Sequence, residues 1–411
     1  MAKKELNINW KDYCCKTLAI SSLVHIFAAL PNPPKPFLKE LNNIIFKFLW
    51  NDKNDKIKRT TITRDYCQGG LRMIELESFI YSLKLSSLKR FLKNSANFNN
   101  IFPLRCLLSL GSNAADCLSH TDNPFWRDTL IAWKTFYRKH NFDHEDINQI
   151  IAQPLWLNHH FKSSYIIKDW FEQGIISIKD ICGENGFLSF DEIQKLYKIK
   201  GTYLDYHRLL HNIPNNWKQL LRNNSHPLYQ MNINSIVFTM ISKDTSSRSF
   251  YDILINNDSM PMVLEHWNTI FDQEIDWNDV FIRYKKCTSD CKLLDFQYRF
   301  INRAIYTKKE LLKMKLVDDD LCFFCKTDSE NILHVFYECP TVLNFWEEVE
   351  NFINNCYHSN HKLTKYNVVF GFQSNTHTIN HIILIAKRFG IIAKQTGAGL
   401  FFQPTYFRLT I

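Results

Sequence analysis

Glycine and proline are scarce in this chain, with 11 and 12 among 411 residues. A turn-rich all-β design or a long disordered segment needs far more of both, so their scarcity points to packed helices. No apolar run is long enough to span a bilayer. The nearest, Thr17 to Leu30, holds two serines and His25 and stops at Pro31-Asn-Pro-Pro-Lys-Pro36. It reads as a buried helix ending at a proline corner, although Lys3, Lys4, Lys11 and Lys16 ahead of it mimic a signal peptide. The 12 cysteines follow no regular spacing. Without a cleavable signal they indicate free thiols in a reducing intracellular compartment, cytoplasmic or nuclear, and no membrane association. A metalloprotease helix is excluded, because His144-Glu145 lacks a second histidine four residues after the first. Asp180-x-Cys182-x-Glu184-Asn185-Gly186 fails as a calcium loop: Asn185 falls where glycine is required and Cys182 where an oxygen is wanted. A turn is expected there, and Ser189-Phe-Asp-Glu192 beyond it is a capping box that starts a helix.

Four residues carry sharper chemistry. Cys322, Cys325, His334 and Cys339 are spaced C-x2-C-x8-H-x4-C. Two thiolates two residues apart turn inward from one tight loop, and a His and a Cys about a helical turn apart complete a tetrahedron around zinc. Four protein ligands leave no open position for catalysis. The competing reading is a redox pair of Cys322 and Cys325. Asp318, Asp319 and Asp320 precede the loop, and Asp328 and Glu330 lie inside it, where acidic groups favour a cation and can orient a ligating imidazole.

The remaining composition, 45% hydrophobic and 14% aromatic, suffices for two or three packed domains. The tryptophans at 126, 133, 156, 170, 217, 267 and 277 are flanked by Leu and Ile, so a core role is expected ahead of base stacking. Charge is uneven. Residues 1–94 contain 17 Lys/Arg and 8 Asp/Glu, a net of +9, and the rest of the chain holds 33 of each sign. Such a block calls for an anionic partner, nucleic acid before membrane, or else is a solvated basic face. Within it Phe37, Leu41, Ile44, Ile45 and Phe48 recur at helical spacing up to Trp50, a polar basic connection leads to Gly69-Gly70, and a second long helix carries Lys84, Lys89, Arg90 and Lys93. A second basic stretch, Arg283 to Lys315, has ten Lys/Arg against Asp290, Asp295 and Glu310. A helix there exposing Gln297, Arg299 and Arg303 could follow a phosphate backbone. A looser connector is expected from Asn232 to Pro261. Phe345-Trp346 should dock on the zinc module, with Glu347, Glu348 and Glu350 on the water side.

The runs Lys16-Thr-Leu-Ala-Ile-Ser-Ser-Leu-Val24, Leu30-Pro-Asn-Pro-Pro34, Phe46-Lys-Phe-Leu-Trp50, Lys56-Ile-Lys-Arg59, Asp65-Tyr66 and Gly69-Gly-Leu71 resemble the thumb that follows the palm of a LINE-type, non-LTR retrotransposon reverse transcriptase. Gln153-Pro-Leu-Trp156, Asp169-Trp-Phe-Glu-Gln-Gly174, Ile178-Lys-Asp180, Asn185-Gly-Phe-Leu-Ser-Phe190 and Ile213-Pro-Asn-Asn-Trp217 look like the helical linker of such elements. Phe296-Gln-Tyr-Arg299 and Lys313-Met-Lys-Leu-Val-Asp318 look like the lead-in to their Cys-Cys-His-Cys knuckle. The resemblance runs in order from about residue 16 to about residue 389. It departs before residue 16, where Trp10-Lys-Asp-Tyr-Cys-Cys15 stands in place of a longer segment, and again from Gly390 to Ile411. The chain therefore reads as a remnant or a fragment.

Polymerisation by two metals needs carboxylates gathered on a palm, usually with an aromatic-x-Asp-Asp turn. The only adjacent aspartates here are Asp318-Asp-Asp320, between a helical segment and the Cys322 loop, where they read as a helix end and an approach to zinc. The expected fold is mainly α, a multi-helix elongated architecture. It comprises a thumb-like basic module (1–95), a helical linker (96–280), a small zinc-knuckle domain (281–389) and a divergent tail (390–411). The resemblance implies a non-enzymatic chain that grips RNA or an RNA–DNA hybrid, with target DNA possible as well. The phosphate contacts would be Lys56, Lys58, Arg59, Arg64, Arg72, Lys89, Arg90, Arg299, Arg303 and Lys308. The alternative is a helical interaction module with a purely structural zinc, docking on a separate polymerase palm.

Overall fold

The computed structural model describes residues 8–93, 110–118, 123–140, 142–183, 186–223, 245–255, 261–373 and 376–401. Among them helices dominate, as the scarcity of glycine and proline requires. The regular strands of the described residues are Cys182–Gly183 and Gly186–Phe187, a two-residue antiparallel ladder. No described helix is long and apolar enough to cross a membrane. The chain forms two compact units, each discontinuous in sequence. One comprises Met1–Ser21, Glu40–Ile74 and Asp258–Ile411, and the other Ser22–Lys39 and Glu75–Asn257. Residues 1–95 are thus shared between the two units, and the helix His377–Thr396 continues past residue 390.

The second unit is built on tryptophan. Helix Pro124–Lys139 starts where Asn123 accepts from the Phe125 amide and proline supplies a preset φ, and it buries Leu130, Trp133, Phe136 and Tyr137 at helical spacing. Trp156, Trp170 and Trp217 join the same core. Two indole N–H groups are satisfied by backbone, Trp156 Nε1 donating to the Ile175 carbonyl at 2.6 Å and Trp170 Nε1 to that of Lys200 at 2.8 Å. A buried indole with its donor paired is a packing element, so these rings are unavailable to bases. The Asp180 carboxylate accepts from the amides of Ile176 and Ser177 and caps the start of the short helix Ile178–Ile181, and of the turn expected at Asp180–Gly186, Glu184 and Asn185 lie outside the described residues. The Ser189–Glu192 box closes as expected. Of the expected connector at 232–261, residues 232–244 and 256–260 lie outside the described residues, and Ser247–Ile255 is helical.

Helix Leu76–Lys93 corrects one expectation. Its Lys84 and Lys89 do not form an outward basic face. Lys84 is fully buried, donating to the Leu30 carbonyl beside the Phe125 ring, 4.2 Å from its centroid, and burial lowers its pKa to about 8. Lys89 is 8% exposed and donates to the Thr245 carbonyl, which removes it from the candidate phosphate contacts.

The N-terminal elements differ from expectation in which face is covered. Residues 17–30 are helical and stop before Pro31, but only Ile20 and Phe27 of that run are buried, with Leu18, Ile26 and Leu30 exposed. Helix Lys35–Leu49 buries Ile45, Phe46 and Leu49, whereas Phe37, Ile44 and Phe48 are exposed. Phe46 is covered on one side by the Arg59 guanidinium, 4.5 Å from its ring centroid.

In the first unit, helices Trp277–Cys287, Cys291–Ile301, Pro340–Tyr357 and His377–Thr396 supply most of the core. Polar groups sit inside it. Arg283 Nη1 donates to the carbonyls of Phe370 and Gly371, both at 2.8 Å, and Lys387 Nζ donates to Gln297 Oε1 at 2.6 Å and to the Val369 carbonyl at 3.2 Å. These carbonyls close helix Lys365–Phe370, whose last acceptors have no partner within the helix. Gln297, expected on a phosphate-facing surface, and Arg283, the first cation of the second basic stretch, are core residues. Burial also holds the Lys387 ammonium well below its ordinary pKa.

In the second unit His159 and His160 stack at 3.9 Å between ring centroids, His144 lies 5.1 Å from His160, and Trp217 Nε1 donates to His144 Nδ1 at 3.3 Å. Burial, followed by repulsion from neighbouring cationic groups, lowers His159 and His160 to about 4. The unfolded chain protonates these rings near pH 6.5, the folded chain only near 4, so their stabilisation is complete above pH 6.5 and declines as the pH falls toward 4. The thermal midpoint should drop between pH 6.5 and 5, and replacing both histidines by glutamine should flatten that drop. An identical pH profile in the double variant, measured by circular dichroism melts, would contradict this.

Candidate metal centre

The loop that carries the first two ligands is closed by an antiparallel bridge between Leu321 and Ser329. Within it the Cys322 amide donates to the Asp328 carbonyl at 2.8 Å and the Lys326 amide to the Cys322 carbonyl at 2.9 Å. Lys326 takes a left-handed φ of 59°, the conformation needed to turn the chain back and bring the Cys325 thiol round to face Cys322. Downstream, the Asn331 side chain caps the next turn, accepting from the amides of Leu333 and His334. The segment His334–Glu338 is a π-helical turn, in which the Cys339 amide donates to the His334 carbonyl at 2.9 Å. The H-x4-C spacing is one π turn, so both side chains emerge on the same side.

The four donor atoms lie within 4.8 Å of one another. Zinc bonds of about 2.3 Å to sulfur and about 2.0 Å to nitrogen, at tetrahedral angles, place two sulfurs about 3.8 Å apart and a sulfur and nitrogen about 3.6 Å apart. Cys322 Sγ is 3.9 Å from Cys339 Sγ, and Cys325 Sγ is 3.3 Å from His334 Nε2. Three thiols and an imidazole at these separations fit a closed zinc site. The thiols are free, and the cluster joins all four residues, against a redox pair confined to Cys322 and Cys325. Burial pushes the Cys322 thiol up to about 12. At Cys325 burial acts in the same direction but is outweighed by hydrogen bonds from Thr327 and the Asp328 backbone and by His334, and the thiol falls to about 6. A divalent ion is what makes the buried thiolates compatible with this pocket.

The acidic residues around the loop brace it and leave the imidazole alone. Glu330 is completely buried. Its carboxylate accepts from the amides of Lys308 at 2.8 Å and Phe323 at 3.1 Å, and it pairs with the Lys394 ammonium. One side chain thereby joins the zinc loop, the start of helix Lys308–Lys313 and the C-terminal helix. Nothing in the local sequence around Glu330 marks Lys394 as its partner. Asp319 pairs with Lys308 at 2.8 Å and Asp320 accepts from the Ser329 hydroxyl, which agrees with a bracing role for the aspartate run. Phe345 and Trp346 pack beside Cys322 and Cys339 as expected, Trp346 Nε1 donating to the Phe336 carbonyl at 2.7 Å. Glu347 and Glu348 are exposed, while Glu350 accepts from the Leu363 amide.

The candidate phosphate contacts divide into groups. Lys89 and Arg90 belong to the second unit, and the other eight belong to the first. There the structure brings Lys56 to 5.8 Å from the Tyr306 ring and close enough to Arg299 for their charges to repel, with Lys308 two residues from Tyr306. Lys58 is exposed. Arg59 is held by Asp55 and Asn43, Arg72 by Asp65, and Arg299 by Asp295, each within 3.1 Å. Arg303 is half-buried, 5.6 Å from the Trp267 ring. Arg64 is also half-buried, directly before the Asp65 turn.

Residues 246–346 match the family model described as zinc-binding in reverse transcriptase. No curated protein matches the chain. The matched span contains all four ligands and the basic stretch leading into them, so this part of the chain is a reverse-transcriptase-associated zinc-binding region.

Elemental analysis of the purified chain should give about one zinc per molecule, lost in Cys325→Ser. Equal zinc in wild type and in Cys322→Ser/Cys339→Ser would refute the site. Glu330→Ala keeps all four ligands but leaves a partly buried ammonium and two amides unpaired, a change expected to cost about 2 to 3 kcal/mol in denaturant unfolding of the metal-loaded protein. A cost under about 1 kcal/mol would show that the brace contributes little.

Proposed function

We propose that the chain is a nucleic-acid-binding, non-catalytic C-terminal part of a LINE-type reverse transcriptase, holding zinc at Cys322, Cys325, His334 and Cys339 and gripping RNA or an RNA–DNA hybrid. The match of residues 246–346 to a reverse-transcriptase zinc-binding family, coinciding with the ligand cluster, carries this reading. The zinc site has no open coordination position, so its role is to hold the fold. The Asp318–Asp320 run is engaged by Lys308 and Ser329 and offers no pair of carboxylates for two catalytic metals. Lys56, Lys58, Arg299 and Lys308 supply positive charge on the zinc-bearing unit from two distant stretches of sequence, which suits contact with a phosphate backbone irrespective of base.

The second reading, a module that docks on a separate polymerase palm, draws support from large apolar residues exposed on that unit, among them Trp10, Tyr13, Leu18, Ile44 and Phe48. Salt separates the two. In the nucleic-acid reading, Lys56→Gln/Lys58→Gln/Lys308→Gln lowers affinity for hybrid duplex similarly across sequences and flattens the salt slope by about three units. A folded triple variant with an unchanged slope, together with salt-insensitive binding to a palm domain, would favour docking.

A further inference from the structure

A cleft of about 550 Å³ opens in the zinc-bearing unit between the loop Tyr66–Leu71 and the helices Trp277–Cys287 and Cys291–Ile301. Its size falls within the range of small-ligand sites. Its lining is mainly apolar, the rings of Tyr66, Phe281, Tyr284 and Tyr298 standing among Leu71, Val280, Leu294 and Ile301, and its rim carries the exposed Lys285 and Lys286. The narrow side is bare backbone. Gly69 has a φ of +79° and a Cβ there would lie 2.5 Å from the Phe281 ring, while one on Gly70 would lie 1.9 Å from the Arg64 carbonyl oxygen. Only glycine lets this loop close on the helix, and that approach sets the shape of the slot. The Lys285 ammonium sits 3.1 Å from the Tyr66 ring centroid and donates to no acceptor among the described residues. The Tyr298 hydroxyl is buried without a hydrogen-bond partner. The Tyr298 hydroxyl is thus an unpaired polar atom at the cleft, while the Lys285 ammonium is held on the Tyr66 ring at its mouth.

We propose that this cleft receives one unstacked nucleotide of a single-stranded segment, its base among the aromatic walls and its phosphate at Lys285 and Lys286. The inference rests on the nucleic-acid reading above and names the site where a strand is held. Aromatic walls accept the π-face of any base, and a pair of adjacent ammonium groups at the mouth matches the phosphate attached to it. A peptide would need a strand edge or a long groove for its backbone, and among the described residues no strand borders this cleft.

Cys291 lines the cleft and is partly accessible, and Cys356, on another helix, is exposed and serves as an internal control. The full zinc-loaded chain is treated with iodoacetamide alone and with a saturating single-stranded RNA oligonucleotide, binding being followed separately by fluorescence anisotropy. Bound RNA should slow alkylation of Cys291 by about tenfold and leave Cys356 unchanged, and Lys285→Met should raise the RNA concentration needed for half protection about fivefold to tenfold. A second readout uses 4-thiouridine in the strand, whose crosslinks should map to the cleft residues. If RNA binds by anisotropy but Cys291 reacts at its free rate and crosslinks fall elsewhere, the cleft assignment is wrong and the nucleic-acid reading stands. If RNA does not bind at all, both fall. Protection by an acidic peptide and by no RNA would assign the cleft to a protein partner and overturn the proposal.

Discussion

The convergence of three thiols and one imidazole is the constraint on which the C-terminal region depends. The Cys322–Cys339 segment has almost no regular structure before the π turn, and its short loop backbone cannot bury enough apolar surface to order itself. Four bonds to one ion would close the loop at both ends, where Cys322 and Cys339 share a core with Phe345 and Trp346. The hydrophobic core and the metal site are therefore one construction: removing the ion leaves a buried thiol at Cys322 whose neighbours were arranged around a cation. Glu330 extends the constraint outward. By accepting from Lys308, Phe323 and Lys394 it ties the loop to helices before and after it in the sequence.

A second theme is the internal use of positive charge. Lys84, Lys89, Arg283, Lys387 and Lys394 all spend their hydrogen bonds on carbonyls or carboxylates within their own unit. At the end of helix Lys365–Phe370, Arg283 takes up the buried carbonyls of Phe370 and Gly371, and Lys387 joins the Tyr284 hydroxyl and the Gln297 amide on that of Val369. A count of lysines and arginines by sequence segment consequently overstates the charge available to a partner. The charge that remains outward is a smaller set, and it comes from both basic stretches, Lys56 lying beside Arg299 and Tyr306.

The zinc quartet and the helical class were legible in the sequence because each rests on local rules. Ligand spacing sets which side chains can face one another, and a capping box such as Ser189–Glu192 is complete within four residues. The expectation that tryptophans are core was likewise local, since flanking Leu and Ile reveal the buried stripe. What escaped depends on partners far away in the chain. In the inward stripe of Lys35–Leu49, Phe46 meets Arg59, and the buried Gln297 meets Lys387, ninety residues on. The pairing of Glu330 with Lys394 joins residues 64 apart, in a stretch where family resemblance had lapsed. Helical periodicity gives the period of a pattern but not its phase against an unseen neighbour.

The central claim is that a closed Cys3His zinc site organises this region. X-ray absorption at the zinc edge of the purified chain tests it most directly. The account predicts three sulfur scatterers at about 2.3 Å and one nitrogen at about 2.0 Å, with no oxygen shell. A first shell dominated by oxygen, or one with fewer than three sulfurs, would contradict it.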